Sequence, residues 1–153
     1  MAGVNPLIAQ GALNRVLTSI VVPSYPQLSA IAPNMSKSLV QLTFDGPFND
    51  QIGTATGIVN SPLPYVMGQL VVSLLRSQLV SGLWIAQAQT QSILGTVTAY
   101  PDSPVFPAVS LTNCSITDID PGAYDGQDPT VKITLKGVFY TNATLWSGAA
   151  ALA

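Results

Sequence analysis

The pattern of hydrophobic and polar residues along the chain predicts a series of β-strands interrupted by one helix. In residues 130–142, Val131, Ile133 and Leu135 alternate with polar residues, as in a strand with one buried and one solvated face. Similar but weaker patterns, separated by proline and glycine, predict further strands. These cover residues 15–22, 36–44, 54–60, 65–76, 92–100 and 108–118.

One stretch changes from the strand period to the helix period. Residues 65–76 are apolar on both faces, which is typical of a strand covered on both sides. Ser77 is then expected to cap a helix that runs to Gln91. Five residues form its predicted apolar stripe: Leu79, Val80, Leu83, Trp84 and Ala88. We expect this stripe to pack on the chain's own sheet; a role for Trp84 between subunits is the alternative.

These elements predict a mainly β fold of the α+β class. The expected architecture is two packed antiparallel sheets or a flattened β-barrel, with one α-helix inserted between strands. A chain of 153 residues is enough for a single domain with its own core.

Residues 36–60 are predicted to form a hairpin with a long polar tip at about 45–53. Such a tip has little to bury within one copy of the chain. The sequence leaves two interpretations open: a mobile loop, or an arm that docks on a neighbouring copy.

The composition indicates a surface that is covered by other protein. Only 8% of the residues are charged, whereas about 25% is usual, and the formal net charge is −2. Because 48% of the residues are hydrophobic, the chain is also too apolar for intrinsic disorder. A lone domain with so few charges would be poorly protected from association.

The missing residue types exclude most catalytic chemistry. The chain has no His and no Glu, and its one cysteine, Cys114, is expected to be a buried thiol. Without an imidazole, neither a serine nor a cysteine triad can form, and a structural zinc site lacks ligands. We therefore expect no enzyme activity, no cofactor and no metal.

Other functional classes also lack their usual sequence features. Four aspartates, Asp118, Asp120, Asp125 and Asp128, cluster near the end of one predicted strand, but they do not fit a helical calcium loop, so we expect a solvated acidic turn. The five basic residues are scattered, which argues against a nucleic-acid-binding patch. Residues 63–86 are too often interrupted by polar residues to cross a membrane, and no secretory signal is expected.

Several features together resemble the tail tube proteins of tailed bacteriophages, in particular those with contractile tails. The first is the opening arm Val4-Asn5-Pro6-Leu7, which continues through residues 10–15 into an early strand. The others are the long-tipped hairpin, the strand-to-helix unit at 65–91 and the late strand Leu111-Thr112-Asn113-Cys114. The resemblance spans nearly the whole chain and contains no catalytic motif.

This resemblance implies a single tail-tube-like domain over residues 1–153, with an N-terminal arm at about 1–14. The fold would be a β-sandwich or barrel related to the tube proteins of type VI secretion. Six copies would form a ring, and stacked rings would form a hollow tube in the virion tail, assembled in the cytoplasm of the host bacterium. The implied partners are the tail sheath, baseplate and tail terminator proteins, with the tape-measure protein and DNA in the lumen.

On this hypothesis two groups of residues are candidates for function. The subunit-interface candidates are Pro6, Leu7, Ile8, Phe48, Ile52, Trp84 and Trp146. The candidates for negative charge in the lumen are Asp45, Asp50 and Asp102. The alternatives are another virion protein, such as a tail terminator, connector or capsid-decoration protein, or a carbohydrate-binding β-sandwich. In the latter, Tyr100, Phe106 and Tyr124 would be the aromatic contacts.

Overall fold

The computed structural model describes residues 17–102, 106–123 and 127–145. The described part contains eight strands and one α-helix, with short 3₁₀ turns at Pro26–Leu28 and Ala32–Asn34. The strands are β1 (Thr18–Val21), β2 (Met35–Asp45), β3 (Asn49–Gly53), β4 (Ile58–Pro62), β5 (Tyr65–Leu75), β6 (Ile93–Pro101), β7 (Val109–Asp120) and β8 (Thr130–Tyr140). The helix α1 (Leu79–Thr90) lies between β5 and β6.

Six of the strands form one nearly closed antiparallel sheet, in the order β1-β6-β7-β8-β5-β2. The strands β3 and β4 pair with each other in a second, small sheet. The predicted α+β class, mainly β with one helix inserted between strands, is therefore confirmed. Strand β8 was predictable because its side chains alternate between a solvated and a buried face. Strand β5 was predicted to be covered on both sides, but Tyr65 and Met67 are exposed, so its first half has one open face.

The core lies on the inward face of the large sheet. Along β5 and β8 the buried residues meet in register, with Leu70 opposite Leu135 and Val72 opposite Ile133. Helix α1 packs against β5 and the first 3₁₀ turn, and it places Trp84 in the core at 0% exposure.

The start of the helix differs from the prediction. Its N-cap residue is Gln78, whose side chain makes no capping bond, so Ser77 is not the cap. The side chain of Leu79 is 79% exposed, whereas Ser81 is buried. Burial of Ser81 is tolerated because its hydroxyl donates to the carbonyl oxygen of Gln78 at 2.8 Å. The first turn therefore buries Ser81, whose hydroxyl is hydrogen-bonded, and leaves Leu79 exposed to solvent.

The predicted hairpin over 36–60 pairs the wrong strands. In the structure β2 pairs with β5, and β3 pairs with β4, so the turn lies at residues 54–57 and not at 45–53. The reason is an early break: Gly46 adopts a positive φ of 127° and Pro47 follows it. The chain then forms β3, and the Thr54 hydroxyl closes the turn by donating to the Gly57 carbonyl at 2.9 Å.

Cys114 is a free, fully buried thiol, as the sequence predicted. Burial raises the pKa of this thiol from 9.0 to about 11, because the anion would lose its hydration. Between these pH values the unfolded chain releases the proton while the folded chain keeps it, so unfolding becomes more favourable.

We therefore expect the free energy of unfolding of the wild type to fall, relative to Cys114→Ala, as the pH rises from 9 to 11. The loss is at most about 2–3 kcal/mol, and it is absent below pH 9. Urea unfolding of both proteins at pH 8, 9, 10 and 11 measures it. Parallel pH profiles for the two proteins would contradict the expectation.

Candidate assembly surfaces

The strand registers place several chain segments at one end of the large sheet. We call it the arm end, after the segment 46–64 that extends from it and is described below. Thr18 pairs with Pro101, Tyr65 with Tyr140, and Met67 with Asp45. The start of β1, the end of β6, the start of β7, the end of β8, the start of β5 and the end of β2 therefore lie together. Helix α1 begins at the opposite end, after β5.

The second sheet projects from the arm end as residues 46–64, which we call the arm. Its two strands are mostly exposed, and each has one unpaired edge in the described structure. One face carries the cross-strand pair Ile52 and Val59, and the other face carries an amide cluster in which Asn49 and Gln51 both donate to Asn60. A two-stranded sheet of this kind is marginally stable by itself.

The end of β8 fastens the base of the arm through a group of hydrogen bonds that we call the arm latch. The side-chain amide nitrogen of Asn142 donates to the carbonyl oxygens of Phe48 (3.0 Å) and Leu63 (2.8 Å). The Thr141 hydroxyl also donates to Leu63 O, at 2.7 Å. One residue therefore holds both limbs of the arm. Asn142 has a φ of 54°, a left-handed conformation that asparagine tolerates better than most residues.

Three phenylalanines lie just inside the latch. Phe44, on β2, lies 5.2 Å from Phe48 and 4.9 Å from Phe139, measured between ring centroids. Phe48 and Phe139 are 6.2 Å apart. These spacings are within the range of favourable aromatic pairs. The cluster joins the arm to the edge of the core and covers one side of Phe48.

Exposed apolar side chains are concentrated at the arm end. Of the fourteen large hydrophobic side chains that are exposed in the described part of the chain, only Ile31, Leu79 and Ile93 lie elsewhere. The other eleven are Leu17, Phe48, Ile52, Ile58, Val59, Tyr65, Met67, Tyr100, Phe106, Tyr140 and Leu145. Contiguous exposed apolar surface is typical of interaction sites.

The structure separates the predicted interface residues. Phe48 and Ile52 lie on the arm, 44% and 55% exposed. Trp84 is in the core, where no partner can reach it, so its assignment to an interface is wrong; the packing of α1 on its own sheet explains the helical stripe. Pro6, Leu7, Ile8 and Trp146 lie outside the described residues, and their role stays a prediction.

The three aspartates predicted to face a lumen all lie at the arm end or on the arm. Asp45 ends β2, Asp50 lies on β3, and Asp102 follows β6; all three are exposed. The backbone N–H of Leu17 donates to the Asp102 carboxylate at 3.3 Å. The pattern of residues contained no information on this shared end of the molecule, because the three positions belong to separate strands or follow them.

Of the acidic turn, the structure describes Asp118, Asp120 and Asp128, and Asp125 lies outside the described residues. The carboxylates of Asp120 and Asp128 accept hydrogen bonds from the backbone N–H groups of Gly122 and Thr130, each at 3.0 Å. Such bonds are typical of a turn. In residues 17–102, 106–123 and 127–145, no group of three or more His, Cys, Asp or Glu could hold a metal ion.

Of the three aromatic residues that a carbohydrate site would use, Tyr100 and Phe106 are exposed, and Tyr124 lies outside the described residues.

Over the part of the chain that the structure describes, no helix combines the length and the apolar character needed to span a bilayer.

The end of the molecule opposite the arm has an apolar groove of about 290 Å³, which we call the α1 groove. Its lining comes from the turn after β5, the first two turns of α1, and the adjoining ends of β7 and β8. The lining residues are Arg76, Gln78, Leu79, Ser81, Gly82, Ile85, Pro121 and Val131. The guanidinium of Arg76 donates to the carbonyl oxygen of Pro121 at 2.7 Å, which fixes one wall of the groove.

Comparison with solved structures finds a chain of the same fold in the virion of a native gene transfer agent particle. The TM-score is 0.54 and the sequence identity is 10%. The match covers 85% of this chain and 99% of that chain. No protein family and no curated protein match the sequence. The likeness therefore concerns the fold.

Proposed function

We propose that this protein is a structural component of a tailed-phage virion. Its copies form rings of six, and the rings stack into the hollow tail tube through which the genome is delivered. The proposal is supported by the fold that the chain shares with a component of a gene transfer agent virion. It is also supported by the low charge, which leaves a neutral surface suited to burial between copies without the desolvation cost of buried ions.

The observation that carries the proposal is the arm. An exposed two-stranded sheet with unpaired edges and apolar side chains is unfavourable in a protein that works as a single copy. Burial against a neighbour removes the apolar surface from water and gives the strand edges partners. In a repeating assembly every copy provides this neighbour for the next one.

The remaining parts of the proposal follow from a tube of this kind. The tail is of the contractile type, so the outer surface of the tube contacts a sheath, and its ends contact baseplate and terminator proteins. Asp45, Asp50 and Asp102 give the lumen a negative potential that repels DNA phosphates and prevents adhesion. The tape-measure protein and the DNA occupy the lumen without specific binding, and the protein performs no enzymatic step.

A second candidate is another ring-forming virion protein, such as a tail terminator or connector. The shared fold favours it equally, since the fold match is to a virion component and does not specify its position. The two candidates differ in one property: a terminator stops at a single ring, whereas a tube protein stacks.

Negative-stain electron microscopy of the concentrated, purified protein tests the proposal. We expect the wild type to form tubes. The double variant Ile52→Ser/Val59→Ser, which removes the apolar pair from one face of the arm, should form single rings or remain as separate copies. A Thr56→Ser variant, changed at the tip but not on that face, is the control and should form tubes.

Two results would overturn the proposal or part of it. Wild-type protein that sediments as one copy at millimolar concentration and at any salt concentration would exclude self-assembly. Tubes of normal length from the double variant would remove the arm from the mechanism. Single rings from the wild type would favour the terminator.

A further inference from the structure

The glycine at position 82 is not explained by the chain's own packing. Gly82 lies inside α1 on an exposed position, and a Cβ atom placed there would meet no atom within 4 Å. At Gly137, by contrast, a Cβ would lie 2.6 Å from the Cys114 sulfur, and at Gly68 it would lie 2.7 Å from Leu111. Alanine would stabilise the helix at position 82, since glycine is unfavourable in helix interiors.

Gly82 lies in the lining of the α1 groove, where the missing side chain keeps the groove open. Leu79, which lines the same groove, is more exposed than any other large hydrophobic side chain among the described residues. An open groove and an exposed leucine side by side are unfavourable in water. Both are expected where another chain inserts an apolar segment.

The arm has the shape and chemistry to be that segment. Its tip, Thr54–Gly57, consists of small residues, and the side chains that flank it are Ile52, Ile58 and Val59. Residues 52–59 carry no charge, and Arg76, the one charged residue in the lining of the groove, already donates to the carbonyl oxygen of Pro121. The registers place the arm and the groove at opposite ends of the sheet, so a chain cannot fill its own groove.

We propose that the arm tip of one copy, residues 52–59, occupies the α1 groove of the next copy, and that copies associate head to tail in this way. This inference rests on the proposed self-assembly and names the surface that receives the arm. Ile58, which is 63% exposed, packs against Leu79 and over Gly82. A contact between two different surfaces of the same chain repeats without limit unless it closes into a ring.

A pair of substitutions at one position tests the groove. Gly82→Trp fills the groove with a side chain that meets nothing in its own copy, and Gly82→Ala adds only a methyl group. We expect Gly82→Ala to assemble like the wild type and Gly82→Trp to need at least a tenfold higher concentration for assembly, measured by sedimentation velocity. Circular dichroism verifies that both variants are folded. Wild-type assembly by folded Gly82→Trp would overturn the proposal.

Disulfide cross-linking tests the contact directly and does not depend on the tryptophan variant. Ile58→Cys and Leu79→Cys are prepared singly and together, and the assembled proteins are oxidised with copper phenanthroline. Cys114 does not interfere, because it is buried and protonated. We expect the double variant to give a ladder of covalent multimers on a non-reducing gel, a mixture of the two single variants to give dimers, and each single variant alone to stay monomeric.

The outcomes separate this inference from the proposed function. Dimers from Ile58→Cys alone would mean that arms contact each other, and an absence of cross-links in assembled protein would mean that the arm docks elsewhere. Either result would overturn the groove contact and leave self-assembly intact. A wild type that never assembles would overturn both.

Discussion

We expect Trp84→Ala to lower the free energy of unfolding by about 3–5 kcal/mol, the usual cost of truncating a large buried aromatic side chain to alanine. Trp84 is the largest of the fully buried side chains among the described residues. It is also the only large side chain of α1 that is fully buried; Val80, Leu83 and Ala88 pack against the core but are only partly buried. Without the indole, the helix is held over the inward face of the sheet by these partly buried contacts alone.

Trp84→Phe provides the matched control. The indole N–H of Trp84 is buried and has no hydrogen-bond partner in the described structure, which costs about 1–3 kcal/mol. Phenylalanine removes this penalty while it loses some volume, so we expect a net loss below about 2 kcal/mol. Urea unfolding followed by circular dichroism measures both variants. A Trp84→Ala protein within about 1 kcal/mol of the wild type would contradict the role assigned to the indole.

The second large effect is expected at the arm latch. Asn142→Ala removes the two hydrogen bonds that the Asn142 amide donates to the arm, each worth about 0.5–1.5 kcal/mol, and places alanine in a left-handed conformation. We expect the arm to open locally while the large sheet stays folded. In hydrogen exchange followed by mass spectrometry, peptides from residues 48–63 should exchange about 10- to 100-fold faster, and peptides from β5 and β8 should not change.

Two further variants separate the amide from the backbone conformation. Asn142→Gly also lacks the amide but accepts a positive φ without strain, so it should accelerate exchange nearly as much as alanine if the hydrogen bonds dominate. Ala143→Ser, at the exposed neighbouring position, should behave like the wild type. Exchange as slow as in the wild type in both Asn142 variants would mean that the phenylalanine cluster and the Thr141 hydrogen bond hold the arm without the amide.

The central strands were predictable because each carries its own pattern. In β8 the alternation of Val131, Ile133 and Leu135 with polar residues indicates both the strand and its buried face, and the structure has the same face inward. The late strand around Cys114 and the helix after β5 were also predicted with nearly correct bounds. Local periodicity is sufficient for these elements because each buries one face.

The pairing of the strands was not predictable from the same pattern. Residues 36–44 have a suitable partner both in 54–60 and in 65–75, and the choice depends on contacts between segments that are distant in sequence. The arm latch was missed for a similar reason. Asn142 follows a strand, which is common for asparagine, and only the folded chain brings it to Phe48 and Leu63. The exposure of Leu79 was not predictable either, because it depends on how the whole helix packs on the sheet.

The way in which the arm is fastened determines where a mechanical load on it would go. The backbone joins one limb to the edge strand β2 and the other to β5, and the latch adds β8, which lies between β7 and β5 inside the large sheet. A pull along the arm is therefore shared by three neighbouring strands, and the ladder bonds of β8 with β7 and β5 resist it together with those of β2 with β5. Without the latch, the limb that continues into β2 would load an edge strand that is held by one neighbour. The attachment thus favours resistance to tension along the arm.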